Sequence, residues 1–135
     1  KGGVSKPLIH TSRGAAYGDV NGDGGIDIVV VNRDAKAYLL MNQNFAEDNF
    51  VKLQLFNRNG APAQNAVVRF KLGDKTIRRE VSTSGGYISA QDPTLHIGLG
   101  KKQAISDVEV TWSDGSKQKI SNVLVNETST IHQSK

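Results

Sequence analysis

Asp107-Val108-Glu109-Val110-Thr111-Trp112-Ser113-Asp114-Gly115-Ser116 is the stretch that decides the fold class. Polar and apolar residues alternate from Asp107 to Trp112, which places Val108, Val110 and Trp112 on one face of a strand. Asp114-Gly115 then supplies the positive φ that a tight, right-twisting connection needs. Lys117 to Val125 is read as the returning strand. Working outward, Phe50–Phe56 alternates in the same way, and Val67–Leu72 runs through Gly73-Asp74-Lys75 into Thr76–Val81. Thr128–His132 is read as a last strand. Ser82–Pro93, rich in Ser and Gly, is read as irregular. Helical periodicity is nearly absent. About seven to nine short strands with turns between them predict an all-β fold, an antiparallel β-sandwich or barrel over residues 49–135.

A second β unit precedes it. Ile26-Asp27-Ile28-Val29-Val30-Val31 is a β-branched run, expected to be buried on both faces beyond Asp27. Arg33-Asp34-Ala35-Lys36 turns the chain, and Ala37–Met41 returns, giving a hairpin within residues 1–48.

Composition narrows the function classes. The chain has 135 residues, 37% of them hydrophobic and 22% charged, the usage of an ordinary globular protein. No segment approaches the roughly 20 apolar residues that cross a bilayer as a helix, so no membrane insertion is expected. The absence of an initiator Met and of a signal peptide suggests a processed piece of a longer product. With no Cys, disulfide scaffolds, thiolate zinc sites and cysteine nucleophiles are excluded. The net charge of +4 is uneven: residues 1–50 hold five Lys/Arg against six Asp/Glu, and residues 51–135 hold twelve against seven. The two parts are expected to do different work.

The sharpest chemical signal is Asp19-Val20-Asn21-Gly22-Asp23-Gly24-Gly25-Ile26-Asp27. Oxygen side chains fall at the first, third, fifth and ninth places of a glycine-rich loop. Hard cations such as Ca²⁺ take six to eight oxygens, and glycine lets the backbone curl at positive φ. Asp19, Asn21, Asp23 and Asp27 would offer side-chain oxygens and Gly25 its carbonyl. An EF-hand would need Glu at the twelfth place, where Val30 stands in a strand, and a flanking helix. The expectation is therefore a calcium loop on a β framework. The blander alternative is an Asx/Gly turn whose carboxylates only cap the backbone. Three crowded carboxylates repel one another without a cation, which favours the ion, in a structural role.

These residues carry a resemblance. Gly18 to Val30, with Arg33-Asp34 and Tyr38–Asn42 after it, resembles an FG-GAP/VCBS repeat, the blade unit of integrin-like β-propellers. From about Asn49 the chain resembles the ASPIC/UnbV domain. The matching pieces are Arg79-Glu80-Val81, Gly85-Gly86-Tyr87-Ile88-Ser89, Leu95-His96-Ile97-Gly98-Leu99-Gly100, Val108–Gly115 and Asn122-Val123. Asn65 and Ser113 depart from the pattern, replacing Gly and Pro. The resemblance implies an extracellular, periplasmic or cell-surface setting and a role in adhesion or interaction, with no known reaction. A lone blade cannot bury both its faces. An exposed apolar face or sheet edge is therefore expected near residues 15–42, to be covered by a partner or by another copy through the blade edge.

Sharper readings weigh less. His10, His96 and His132 are far apart in sequence, no Gly-x-Ser-x-Gly elbow occurs, and packing explains His96 better than catalysis. Lys101-Lys102 and Arg78-Arg79 lack interleaved aromatics, so no nucleic-acid partner is expected. A core role for Trp112 outweighs sugar stacking. Tyr87 is the better candidate for an exposed contact. Asn126-Glu127-Thr128 is an N-glycosylation triplet. The leading expectation is a non-enzymatic, calcium-stabilised interaction module with a protein or glycan ligand. The alternative is a carbohydrate-binding accessory module, which aromatics aligned on one exposed face would favour. A third reading is a hydrolase with its site in Ser82–Pro93.

Overall fold

A computed structural model describes residues 9–43 and 48–135. Among them the chain forms β1 (Ser12–Gly18), β2 (Asp27–Asn32), β3 (Tyr38–Leu40), β4 (Asn49–Phe56), β5 (Val67–Leu72), β6 (Lys75–Glu80), β7 (Ser84–Gly86), β8 (Ser89–Ala90), β9 (Leu95–Gly100), β10 (Ser106–Thr111), β11 (Lys117–Ile120) and β12 (Thr128–His132). Contacts divide the chain into two compact units. The first comprises the described part of Lys1–Ala46 together with Ser84–Asp92, and the second that of Glu47–Thr83 together with Pro93–Lys135.

The second unit holds the hydrophobic core. One sheet has the order β11-β10-β5-β6 and the other β12-β4-β9, and the core draws side chains from both. Leu53 and Val51 of β4, Val68 and Phe70 of β5 and Val110 of β10 are all fully buried, as two half-apolar sheets stacked face to face require. Val108, Val110 and Trp112 turn inward together. The Asp114-Gly115 turn closes as expected: Gly115 has φ 83° and the Trp112 N–H donates to the Ser116 carbonyl at 2.9 Å. These features are those of a β-sandwich, with no closed barrel. Two readings need correction. β11 stops at Ile120 rather than Val125. The sheets are also not wholly antiparallel, because β12 pairs with β4 in parallel register from Thr128↔Lys52 to His132↔Phe56. Alternation specifies which face of a strand is apolar but not the direction of its neighbour.

The first unit is an antiparallel sheet of order β1-β2-β3. The expected β2–β3 hairpin is there, and β1 adds a strand. The expectation that Ile28–Val31 is buried on both faces is overturned. Ile28 is 41% and Val31 53% exposed, on opposite faces, while Asp27 is completely buried. Among its described residues, the three-stranded sheet of this unit leaves those side chains uncovered. The stretch Ser82–Pro93 is not wholly irregular either. It contains the β7–β8 hairpin, which packs on β1.

Candidate metal centre

The 19–27 loop connects β1 to β2, and the chain reverses there because Gly22 and Gly24 take φ 78° and 94°. All five predicted ligand residues lie in this one loop, and the structure shows how each oxygen is used. Asp19 accepts the Gly22 and Gly24 N–H groups on its two oxygens, each at 2.8 Å. Asn21 Oδ1 accepts the Asp23 N–H at 3.2 Å, and Asp23 Oδ1 accepts the Gly25 N–H at 2.9 Å. The Asn21 amide donates to the other oxygen of Asp23. Asn21 and Asp23 face solvent, whereas Gly25 and Asp27 are buried.

Asp27 has a distinct position. Its Oδ2 accepts the Val20 N–H at 3.0 Å and its Oδ1 the Asn42 N–H at 2.8 Å. One carboxylate thereby fastens the start of the loop and the segment just after β3 to the first residue of β2. As placed, no group of three or more His, Asp or Glu side chains among the described residues stands close enough together to hold a metal ion. The donor set nevertheless has the chemistry of a hard-cation site, with three carboxylates, an amide oxygen and a curled backbone. A carboxylate oxygen that accepts one N–H keeps a further lone pair.

Residues that sequence reading passed over organise the rest of the first unit. Gln91, buried beside β1, accepts the Tyr17 N–H on Oε1 at 2.8 Å and donates from Nε2 to the Ala15 carbonyl at 3.1 Å. Its side-chain amide thus pairs with the outer edge of β1 as a neighbouring strand would. Glycines allow the approach: a Cβ on Gly14 would meet Ser89 Oγ at 2.6 Å, and one on Gly86 the Ala15 carbonyl oxygen at 3.1 Å. Gly85-Gly86 was the visible signal, since paired glycines mark close backbone approach. The hairpin tip exposes Tyr87 (69%) and Ile88 (79%), and Ile88 holds φ 49°, a strained value for a β-branched residue.

The three histidines have packing roles. His96 stacks on Phe50 with ring centroids 5.5 Å apart, His132 stacks on Phe56 at 5.3 Å, and His10 tilts against Tyr38 at 5.6 Å. Trp112 is a core residue, 3% exposed. The amide of Asn126, in the glycosylation triplet, is engaged in the fold. Its Oδ1 accepts the Phe50 N–H at 3.0 Å and its Nδ2 donates to Asn49 Oδ1 at 2.9 Å.

Residues 57–135, from just after β4 through β12 to Lys135, match the ASPIC and UnbV family. The chain belongs to that family. Cartilage acidic protein 1 of Homo sapiens is 35% identical over 107 residues, covering 76% of this chain and 16% of that protein. The Mus musculus protein is 34% identical over 107 residues and the Xenopus tropicalis protein 31% over 106, with the same coverage. The chain thus spans only a small part of the relatives' length. The ASPIC and UnbV match begins at Asn57, although β4 before it is the middle strand of the β12-β4-β9 sheet. It also leaves out the 19–27 loop, which rests on its own residues.

Proposed function

We propose that this chain is a calcium-stabilised, non-enzymatic interaction module that works outside the cytoplasm, with an FG-GAP/VCBS-like blade as its first unit. The observation that carries this reading is how apolar side chains divide between the units. Among the described residues, nine of the ten exposed large hydrophobics lie in the first unit: Ile9, Tyr17, Val20, Ile28, Val31, Leu39, Met41, Tyr87 and Ile88. Every buried hydrophobic among the described residues lies in the second. Concentrated exposed apolar surface marks an interaction site. The extracellular setting draws on kinship with cartilage acidic protein 1.

In this reading Asp19, Asn21, Asp23, Gly25 and Asp27 hold Ca²⁺. The ion neutralises three neighbouring carboxylates and stiffens the turn that joins β1 to β2. Packing roles for the histidines support the non-enzymatic part. The hydrolase reading loses its support, because Gln91 and the glycines of Ser82–Pro93 serve to dock the hairpin on β1.

Calorimetric titration with CaCl₂ tests the proposal. One ion should bind with a Kd of roughly 10⁻⁴–10⁻³ M, the range of extracellular calcium modules. Heats no larger than dilution up to about ten times that range would refute it.

A further inference from the structure

Gln118 stands at a strand position that alternation reserves for an apolar side chain. It lies directly opposite the core residue Val110 in the β10–β11 register, two places before Ile120, which packs against the core. Directly opposite residues share a face of the sheet, so Gln118 points between the two sheets of the second unit. An amide placed there gives up water and needs partners inside the fold. It finds both on the facing sheet. Its Nε2 donates to the His132 carbonyl at 3.2 Å, and its Oε1 accepts the Ser134 N–H at 3.0 Å.

Those two backbone groups belong to the outer edge of β12. Gln133, between them, donates its N–H to the Phe56 carbonyl of β4 at 2.8 Å. Backbone groups of successive strand residues turn to opposite sides, so the His132 carbonyl and the Ser134 N–H face away from β4. A carbonyl and the N–H two residues on are the pair that a single residue of a parallel neighbour engages. Gln91 does the same on the outer edge of β1, with the Ala15 carbonyl and the Tyr17 N–H. A glutamine amide thus takes the place of a strand at two separate sheet edges.

The edge strands of the second unit differ in how they discourage an added strand. β6 carries Lys75, Arg78, Arg79 and Glu80, and β11 carries Lys117 and Lys119; charges of this kind blunt an edge. Gly98 and Gly100 weaken β9 as a template. β12 has no Lys, Arg, Asp or Glu, and its Thr128, Thr130 and Ile131 are β-branched, a composition that favours pairing.

We propose that Gln118 is a cover for the β12 edge, and that it keeps this strand from pairing with β12 of a second copy of the chain. A two-fold axis sets one β12 antiparallel against another, which is the simplest closed association open to an uncovered edge. The amide meets the two backbone groups that such a partner would otherwise take. The cover acts independently of calcium at the 19–27 loop, because Gln118, His132 and Ser134 all lie in the second unit.

Sedimentation velocity of the full chain, over about a hundredfold range of concentration, tests this. Gln118→Leu suits the inward position and should keep the fold while opening the edge. It should tighten self-association at least about tenfold relative to the unsubstituted chain. Gln118→Ala opens the edge without adding apolar bulk and should do the same; it decides the question should the leucine disturb the packing. Adding Ser134→Pro removes the outward N–H, so Gln118→Leu/Ser134→Pro should return to the unsubstituted level. Gln133→Ala is the control. It removes an amide that donates to Asp114 and Ser116 and leaves Gln118 in place, so it should change association less than about twofold. The proposal is overturned if neither Gln118 variant associates more tightly, if Gln133→Ala associates as tightly as they do, or if Ser134→Pro fails to reverse the gain.

Discussion

Asp27 shows how one residue can be legible in position and not in use. Its place in an oxygen-rich loop marks it as a ligand, whereas its burial and two backbone hydrogen bonds make it a pin for the fold. Spacing reveals that oxygens share a loop, but not which N–H groups they accept. Removing a buried charged acceptor strands its donors, so Asp27→Ala should cost about 3 kcal/mol in denaturant unfolding, with calcium or without it. Asp23→Ala removes an exposed carboxylate. Because that carboxylate accepts the N–H of the buried Gly25, the change should cost about 1 kcal/mol without calcium, while abolishing the calcium response. Asp114 is one residue that couples the fold to pH. Hydrogen bonds from the Ser116 hydroxyl and N–H, with help from Gln133 and Arg58, hold its carboxyl down at about 2. Its stabilisation is therefore complete above the ordinary carboxylate value of about 4 and is lost as pH falls toward 2. Asp114→Asn should lower the melting temperature at pH 7 and make its fall between pH 4 and pH 2 shallower.

Strands built from β-branched and aromatic residues were legible in the sequence, since alternation records a face that must be buried. β4, β5, β6, β10 and β12 were found in this way. β9 was missed as a strand although Leu95, Ile97 and Leu99 alternate inward, and two other missed elements are made of small residues. β1 reads Ser-Arg-Gly-Ala-Ala-Tyr-Gly and β7 Ser-Gly-Gly, with too little apolar surface to show a period. Their pairing depends on close backbone approach and on Gln91, neither of which leaves a periodic trace. The oxygen-rich 19–27 loop was legible as a loop because its residue types recur at fixed places. Gln91→Ala should leave the Tyr17 N–H without its acceptor and cost about 1–2 kcal/mol. The Tyr17 amide should then exchange with deuterium about tenfold faster, while the amides of β10 keep their protection.

At the scale of the whole molecule, the two units solve different physical problems. The second buries its apolar side chains between two sheets and is stable by the ordinary means of a β-sandwich. The first buries Asp27, Asn32 and Gln91 and, among the described residues, exposes nine large apolar side chains, so hydrogen bonds carry much of its order, to which the proposed calcium ion would add. Thermal unfolding of the full chain in EGTA and in free calcium at about ten times the Kd tests this account most directly. Linkage at that concentration is worth on the order of 1.4 kcal/mol, which should raise the melting temperature by about 5 °C for a chain of this size. Superimposable melting curves in the two conditions would contradict it.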